Sequence, residues 1–169
     1  MLRTAAVAVA LVALVVLSPG SVRAATTYTD SITGAEYFFT STEGRFAGRA
    51  TGDLPGYWNT VVDHTPLSIG STPTATITGG SFQLTTTLNG FYTLITGDVT
   101  GGMINVKDPG TDCHDQTFDV EGTLGNVGPW FTGSGSGTFS ALLTHHRVPI
   151  FGQCVIYAAT VTGTFSLSF

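Results

Sequence analysis

The C-terminal stretch "CVIYAATVTGTFSLSF", residues 154–169, decides how the chain folds. Val155, Tyr157, Ala159, Val161, Gly163, Phe165, Leu167 and Phe169 fall on every second position, and most residues between them are Thr or Ser. A period of two gives an extended strand with one buried face and one wet face. The same pattern governs "TFDVEGTL" (117–124), where Phe118, Val120, Gly122 and Leu124 point one way and Thr117, Asp119, Glu121 and Thr123 the other. It recurs in "RFAGRATGDL" (45–54), with Phe46, Gly48, Ala50, Gly52 and Leu54 inward. No stretch beyond residue 24 sustains the 3.6-residue apolar period of a helix.

Between "SFQLTTTL" and "FYTLITGDV" lies Asn89-Gly90, the dipeptide best suited to a two-residue hairpin turn. That turn pairs Leu88 with Phe91 and therefore Leu84 with Ile95. The segment "ATITGGSFQL" (75–84) is similar to "ATVTGTFSL" (159–167) but has one extra residue at Gly80 or Ser81, which reads as a β-bulge that flips the register. Strands are expected over about 27–33, 35–42, 45–54, 74–87, 91–106, 116–124, 138–146 and 154–168. Glycines recur on inward positions (Gly48, Gly52, Gly79, Gly97, Gly122, Gly163), as in a sheet coiled sharply enough to close on itself. The expected fold is all-β, a single antiparallel meander barrel of about eight strands, with a β-sandwich as the alternative. In style the chain is similar to small secreted barrels of the avidin, lipocalin, and allene oxide cyclase and dirigent kinds. It carries the diagnostic motif of none of them, so no residue role follows.

The N-terminus is read separately. Arg3, an apolar run from Ala5 to Leu17, the Pro19-Gly20 break and small residues at Val22 and Ala24 predict a secretory signal peptide over residues 1–24. The run is too short to span a bilayer. Residues 25–169 then form one secreted, extracellular domain. It keeps four basic residues (Arg45, Arg49, Lys107, Arg147) against eleven acids, a net charge of −7, which disfavours nucleic acid and anionic membranes as partners. Oligomeric state is open at this level.

In an exported chain the two cysteines, Cys113 and Cys154, are expected to form a disulfide. Adjacent strand residues face opposite sides, so His145 and His146 of "LLTHHRVPIFGQC" (142–154) cannot both hold one ion. Continuing the parity of Phe139, Ala141 and Leu143 sends His145 inward and His146 outward, with Cys154 opposite His146 or Thr144. Extending the parity of Phe118 back through "PGTDCHD" (109–115) sends Cys113 outward and His114 inward, so His114 and His145 would share one rim.

Three readings of that rim follow. It could bind a ligand with His114 and His145, joined by Trp58 of "LPGYWNT" (54–60) and Trp130 of "NVGPWFTG" (126–133) on loops as stacking platforms for a small molecule or carbohydrate. It could hold a divalent metal with His114, His145, Asp115 and His64, or with Asp112, although the spacing fits no compact ligand motif and no cofactor is expected. It could run proton transfer, as an isomerase, cyclase or lyase would, using histidine beside Asp63 or Asp115. A nucleophile has less support, because "GSGSG" (133–137) is out of register with G-x-S-x-G and a disulfide leaves no free thiol. The favoured reading is a non-enzymatic barrel binding a small-molecule, carbohydrate or protein ligand at a loop-lined end. The others are a barrel enzyme with rim His and Asp, and a filled, structural surface-interaction protein.

Overall fold

The computed structural model describes residues 25–67, 73–131 and 133–169. The segment 1–24, read above as a signal peptide, lies outside them. Eight antiparallel strands follow one another around a closed barrel: β1 (Thr27–Phe39), β2 (Glu43–Gly52), β3 (Gly56–His64), β4 (Thr74–Leu88), β5 (Phe91–Asp108), β6 (Gln116–Pro129), β7 (Gly135–Ile150) and β8 (Gln153–Ser168). β8 closes on β1 from Thr27↔Ser168 to Ala35↔Thr160. A single 3-10 turn, Thr111–Cys113, is the only helical element among the described residues. None of them forms a helix long and apolar enough to cross a membrane.

The barrel and its strand count agree with the sequence, but two strand assignments do not. The segments expected at 27–33 and 35–42 are one strand, because Gly34 sits inside β1 rather than ending it. Gly34 faces Gly48 of β2, and a Cβ on either would meet the other strand's backbone, so the two glycines let the strands approach. The stretch "GYWNTVVDH", left out of the expected strands with its "LPGYWNT" part read as a loop, is β3. Its alternation is real, with Trp58 and Val62 buried, but Pro55 and Gly56 at its start imitate a turn.

Two glycine pairs bend the barrel wall. Along β4 the buried positions are Ala75 and Ile77, then Phe82, Leu84 and Thr86, so the inward parity switches across Gly79-Gly80 as the extra residue predicted. β5 switches at Gly101-Gly102, from Ile95 and Val99 to Ile104 and Val106. The two sites are opposite each other, since Ile77 pairs with Gly102 and Ser81 with Asp98. Gly80 (φ +135°) and Gly102 (φ +146°) adopt backbone that side chains avoid, and a Cβ on either would strike the neighbouring strand's carbonyl, of Val61 and Glu121 respectively.

The two ends of the barrel differ. At one end, where β4 turns into β5, Leu54, Leu84, Ile95, Val127 and Leu167 are almost wholly buried and fill the interior. Toward the other end, where β7 turns into β8, the interior opens into a cavity of about 240 Å³. Its floor is formed by Phe46, Val62, Phe118, Val120 and Leu143. Below that floor only a void of about 40 Å³ remains. The cysteines are joined, Cys113 to Cys154, as expected from export chemistry.

Candidate functional site

The open-end cavity is apolar except for a few groups, and one pair dominates them. His145 lies on β7 opposite Gln116 of β6 and Ala159 of β8. Its ring faces inward, as parity required, and is 8% exposed. Nε2 of His145 lies 2.6 Å from Oε2 of Glu36 on β1, and the Glu36 side chain is 4% exposed. Glu36 and His145 are separated in the wall by β8, whose inward residue at this level is Ala159, small enough for the two long side chains to meet across it.

Local structure fixes both partners. The inward parity of β1, Ile32, Gly34, Glu36, is broken after Glu36 by a bulge at Tyr37, which brings Phe39 into the cavity. Phe39 and Phe118 then hold the imidazole between them, with ring centroids 5.4 and 5.0 Å away. Gly44 of β2 completes the cradle. A Cβ there would come within 2.8 Å of Oε1 of Glu36 and press on the Phe46 ring, so a side chain at 44 would displace the carboxylate or the floor.

His64 and Gln116 line the same cavity. Nδ1 of His64 is 2.8 Å from the carbonyl oxygen of Thr65. A carbonyl only accepts, so Nδ1 carries the proton and Nε2 is left as an acceptor. By the same logic, with the Glu36 carboxylate accepting the Nε2–H of His145, Nδ1 of the neutral ring is left as an acceptor. The cavity thus combines aromatic and aliphatic walls with one carboxylate, two imidazoles, one amide and the Thr40 hydroxyl, a composition suited to a mostly apolar ligand bearing a hydrogen-bonding group.

The other residues singled out by the sequence do not converge there. His114 is a correction: it is exposed, because "PGTDCHD" is not a strand extension but a loop with a 3-10 turn in which Asp112 and Cys113 have positive φ. Parity cannot be carried through such a loop, and Gln116 takes the inward place. Asp115 lies outside the barrel, where Oδ2 binds His146 Nδ1 at 2.8 Å and Oδ1 accepts the Arg147 backbone N–H. The His146 hydrogen bond first, and the Arg147 one second, hold its carboxyl below the usual carboxylate value. His146 is therefore an outer-face residue, as predicted, and also bonds Thr160 Oγ1. Cys154 pairs with Pro149, not with His146 or Thr144, because β7 and β8 run on to the tight turn at Phe151-Gly152.

Trp58 is a second correction. It is buried inside the barrel wall at 4% exposure, with Nε1–H donating to the Arg49 carbonyl, and not on a loop. Trp130 is exposed, as a platform must be, but it sits beyond β6 at the filled end, away from His145. Among the described residues no three His, Cys, Asp or Glu side chains converge as metal ligands, so His64, His114, Asp115 and His145 do not assemble a metal centre. Arg45 pairs with Glu43 and lies over Phe38, Arg49 lies over Tyr57, and Asp53 accepts the Thr29 N–H. Sequence reasoning missed Glu36, although it shares the parity of Ile32; splitting β1 at Gly34 hid that signal.

The chain matches no known family model, no curated protein and no solved structure.

Proposed function

We propose that the protein is a secreted, non-enzymatic barrel that binds a small, largely apolar molecule in the cavity at its open end, with Glu36 and His145 receiving a hydrogen-bond donor on the ligand. The observation that carries the reading is the Glu36–His145 pair, 2.6 Å apart and nearly sealed from solvent, set into a mostly apolar, open-mouthed cavity whose other polar linings are Thr40, His64 and Gln116. Taking such a pair out of water is costly, and a fold does not need it for closure. The disulfide fits an extracellular setting. Exposed Trp130 and Phe131 give a carbohydrate or protein a separate surface at the filled end.

The first test uses N-phenyl-1-naphthylamine, an apolar amine that fluoresces in dry surroundings. Saturable binding at one site is expected, weakened about tenfold by Glu36→Gln and abolished by Leu143→Arg, which fills the floor. Absence of saturable binding, or binding indifferent to both substitutions, rejects the cavity as the site.

A second reading, proton-transfer catalysis, is favoured by the same contact, because a carboxylate that orients an imidazole is the arrangement a general base requires. Prolonged incubation with a bound natural ligand discriminates: unchanged ligand supports binding, and an isomerised or eliminated product supports the enzyme.

A further inference from the structure

The cavity at the open end is built in two layers. Its floor is apolar, and the polar lining residues stand one step nearer the mouth: His64 follows Val62 by two positions on β3, His145 follows Leu143 by two on β7, and Gln116 precedes Phe118 by two on the antiparallel β6, opposite His145. Two positions along a strand keep a side chain on the same face, so each of these strands delivers an apolar group below and a polar one above. A ligand that fits lies with an apolar body on the floor and a polar head at the level of Glu36 and His145.

The kind of head is set by what those residues offer. Oε2 of Glu36 holds His145 Nε2, but Oε1 has no hydrogen-bond partner among the described residues and lies beside Gly44, where a Cβ would come within 2.8 Å of it. Nδ1 of His145 and Nε2 of His64 are acceptors too in the neutral rings, and Gln116 and Thr40 can accept as readily as donate. None of the described residues lining the cavity is a lysine or an arginine. His145 therefore gives Glu36 a hydrogen bond but, as a neutral ring, no counter-charge. Phe39, Phe46 and Phe118 line the same space, and an aromatic face attracts a cation.

We infer that the ligand is a cation, an apolar primary amine whose ammonium group binds Oε1 of Glu36 while its body rests on the floor. This rests on the binding function proposed above and adds to it the charge of the ligand. A carboxylate taken out of water carries a desolvation cost that one hydrogen bond from a neutral imidazole offsets only in part, and an entering ammonium supplies the missing counter-charge. It also brings three N–H donors to a site with acceptors in excess, where a hydroxyl brings one. A carboxylate ligand is excluded, because its charge would meet that of Glu36 in surroundings of low polarity with no lysine or arginine to receive it.

The test is isothermal titration calorimetry of the disulfide-bonded protein with three ligands of one skeleton, 1-naphthylmethylamine, 1-naphthalenemethanol and 1-naphthoic acid, at neutral pH, where the alkylamine is protonated. The amine is expected to bind at one site at least about tenfold more tightly than the alcohol, and the acid not measurably. Glu36→Gln, which keeps the shape and removes the charge, should bring amine and alcohol within about twofold of each other. Alcohol that binds as tightly as the amine leaves the cavity as a ligand site but overturns its selection of a cation, as does acid that binds as tightly as the alcohol, or an amine preference that survives Glu36→Gln. Absence of binding by all three, the alcohol included, overturns the inference together with the cavity as a site. If Glu36→Gln does not fold, the ranking of the three ligands in the parent protein decides by itself.

Discussion

At the scale of single residues, Asp30 is the polar group the barrel accommodates least well. It sits on β1 at the filled end, fully buried; Oδ1 accepts the Leu54 N–H at 2.9 Å, and Oδ2 has no partner among the described residues. Burial, ahead of the favourable Leu54 contact, raises its pKa above the ordinary 3.8, and the charge of Asp53 adds to the shift. The folded state thus prefers the protonated acid. The stabilisation is complete below the unfolded pKa and is lost as pH rises through the folded one. Asp30→Asn keeps an acceptor for Leu54 without the charge. Thermal melts should show the variant at least as stable as the parent at pH 7, with any gain disappearing in acid below the ordinary carboxylate range. A variant that loses the same stability at every pH would show that the carboxylate is needed for its shape and not burdened by its charge.

At the scale of elements, the two tight hairpins make a controlled comparison. Asn89-Gly90 and Phe151-Gly152 have nearly the same backbone, with φ of 51° and 82° in the first and 49° and 78° in the second. Asn is at home in the left-handed region and Phe is not, at a cost of about 1–2 kcal/mol. Phe151 recovers none of that by packing, since it is fully exposed. Phe151→Asn should therefore raise the urea midpoint, corresponding to about 1 kcal/mol, with an unchanged slope. A lower midpoint would mean that Phe151 has a partner within the same chain.

At the scale of the whole molecule, the Cys113–Cys154 bridge ties the 109–115 loop to the β7–β8 hairpin across 41 residues of sequence. In the chain-entropy model a loop of this size restricts the unfolded chain by about 4 kcal/mol. The barrel's own ladders close without it, so reduction should lower the melting temperature while leaving the all-β far-UV spectrum intact at low temperature. Loss of that spectrum on reduction would place the bridge among the determinants of the fold itself.

Alternation with a period of two and turn chemistry were enough to read barrel class, the Asn89-Gly90 hairpin, a parity switch beside Gly80 and the opposite facing of His145 and His146, because each follows from the geometry of an extended backbone; alternation failed at Val155 and Tyr157, expected on the buried face with Ala159 but exposed because β8 shifts register between Ile156 and Ala158. Such local rules fail wherever the backbone leaves that geometry. The turn at Thr111–Cys113 uncoupled His114 from the strand parity on which its inward placement rested. Pro55-Gly56 disguised the start of β3, so buried Trp58 looked like a loop residue. The meeting of Glu36 with His145, 109 residues apart in sequence, depends on ring closure between β1 and β8, on the bulge at Tyr37 and on the small Ala159 between them. The period in the sequence says which way a side chain points; only closure of the barrel decides what it meets there.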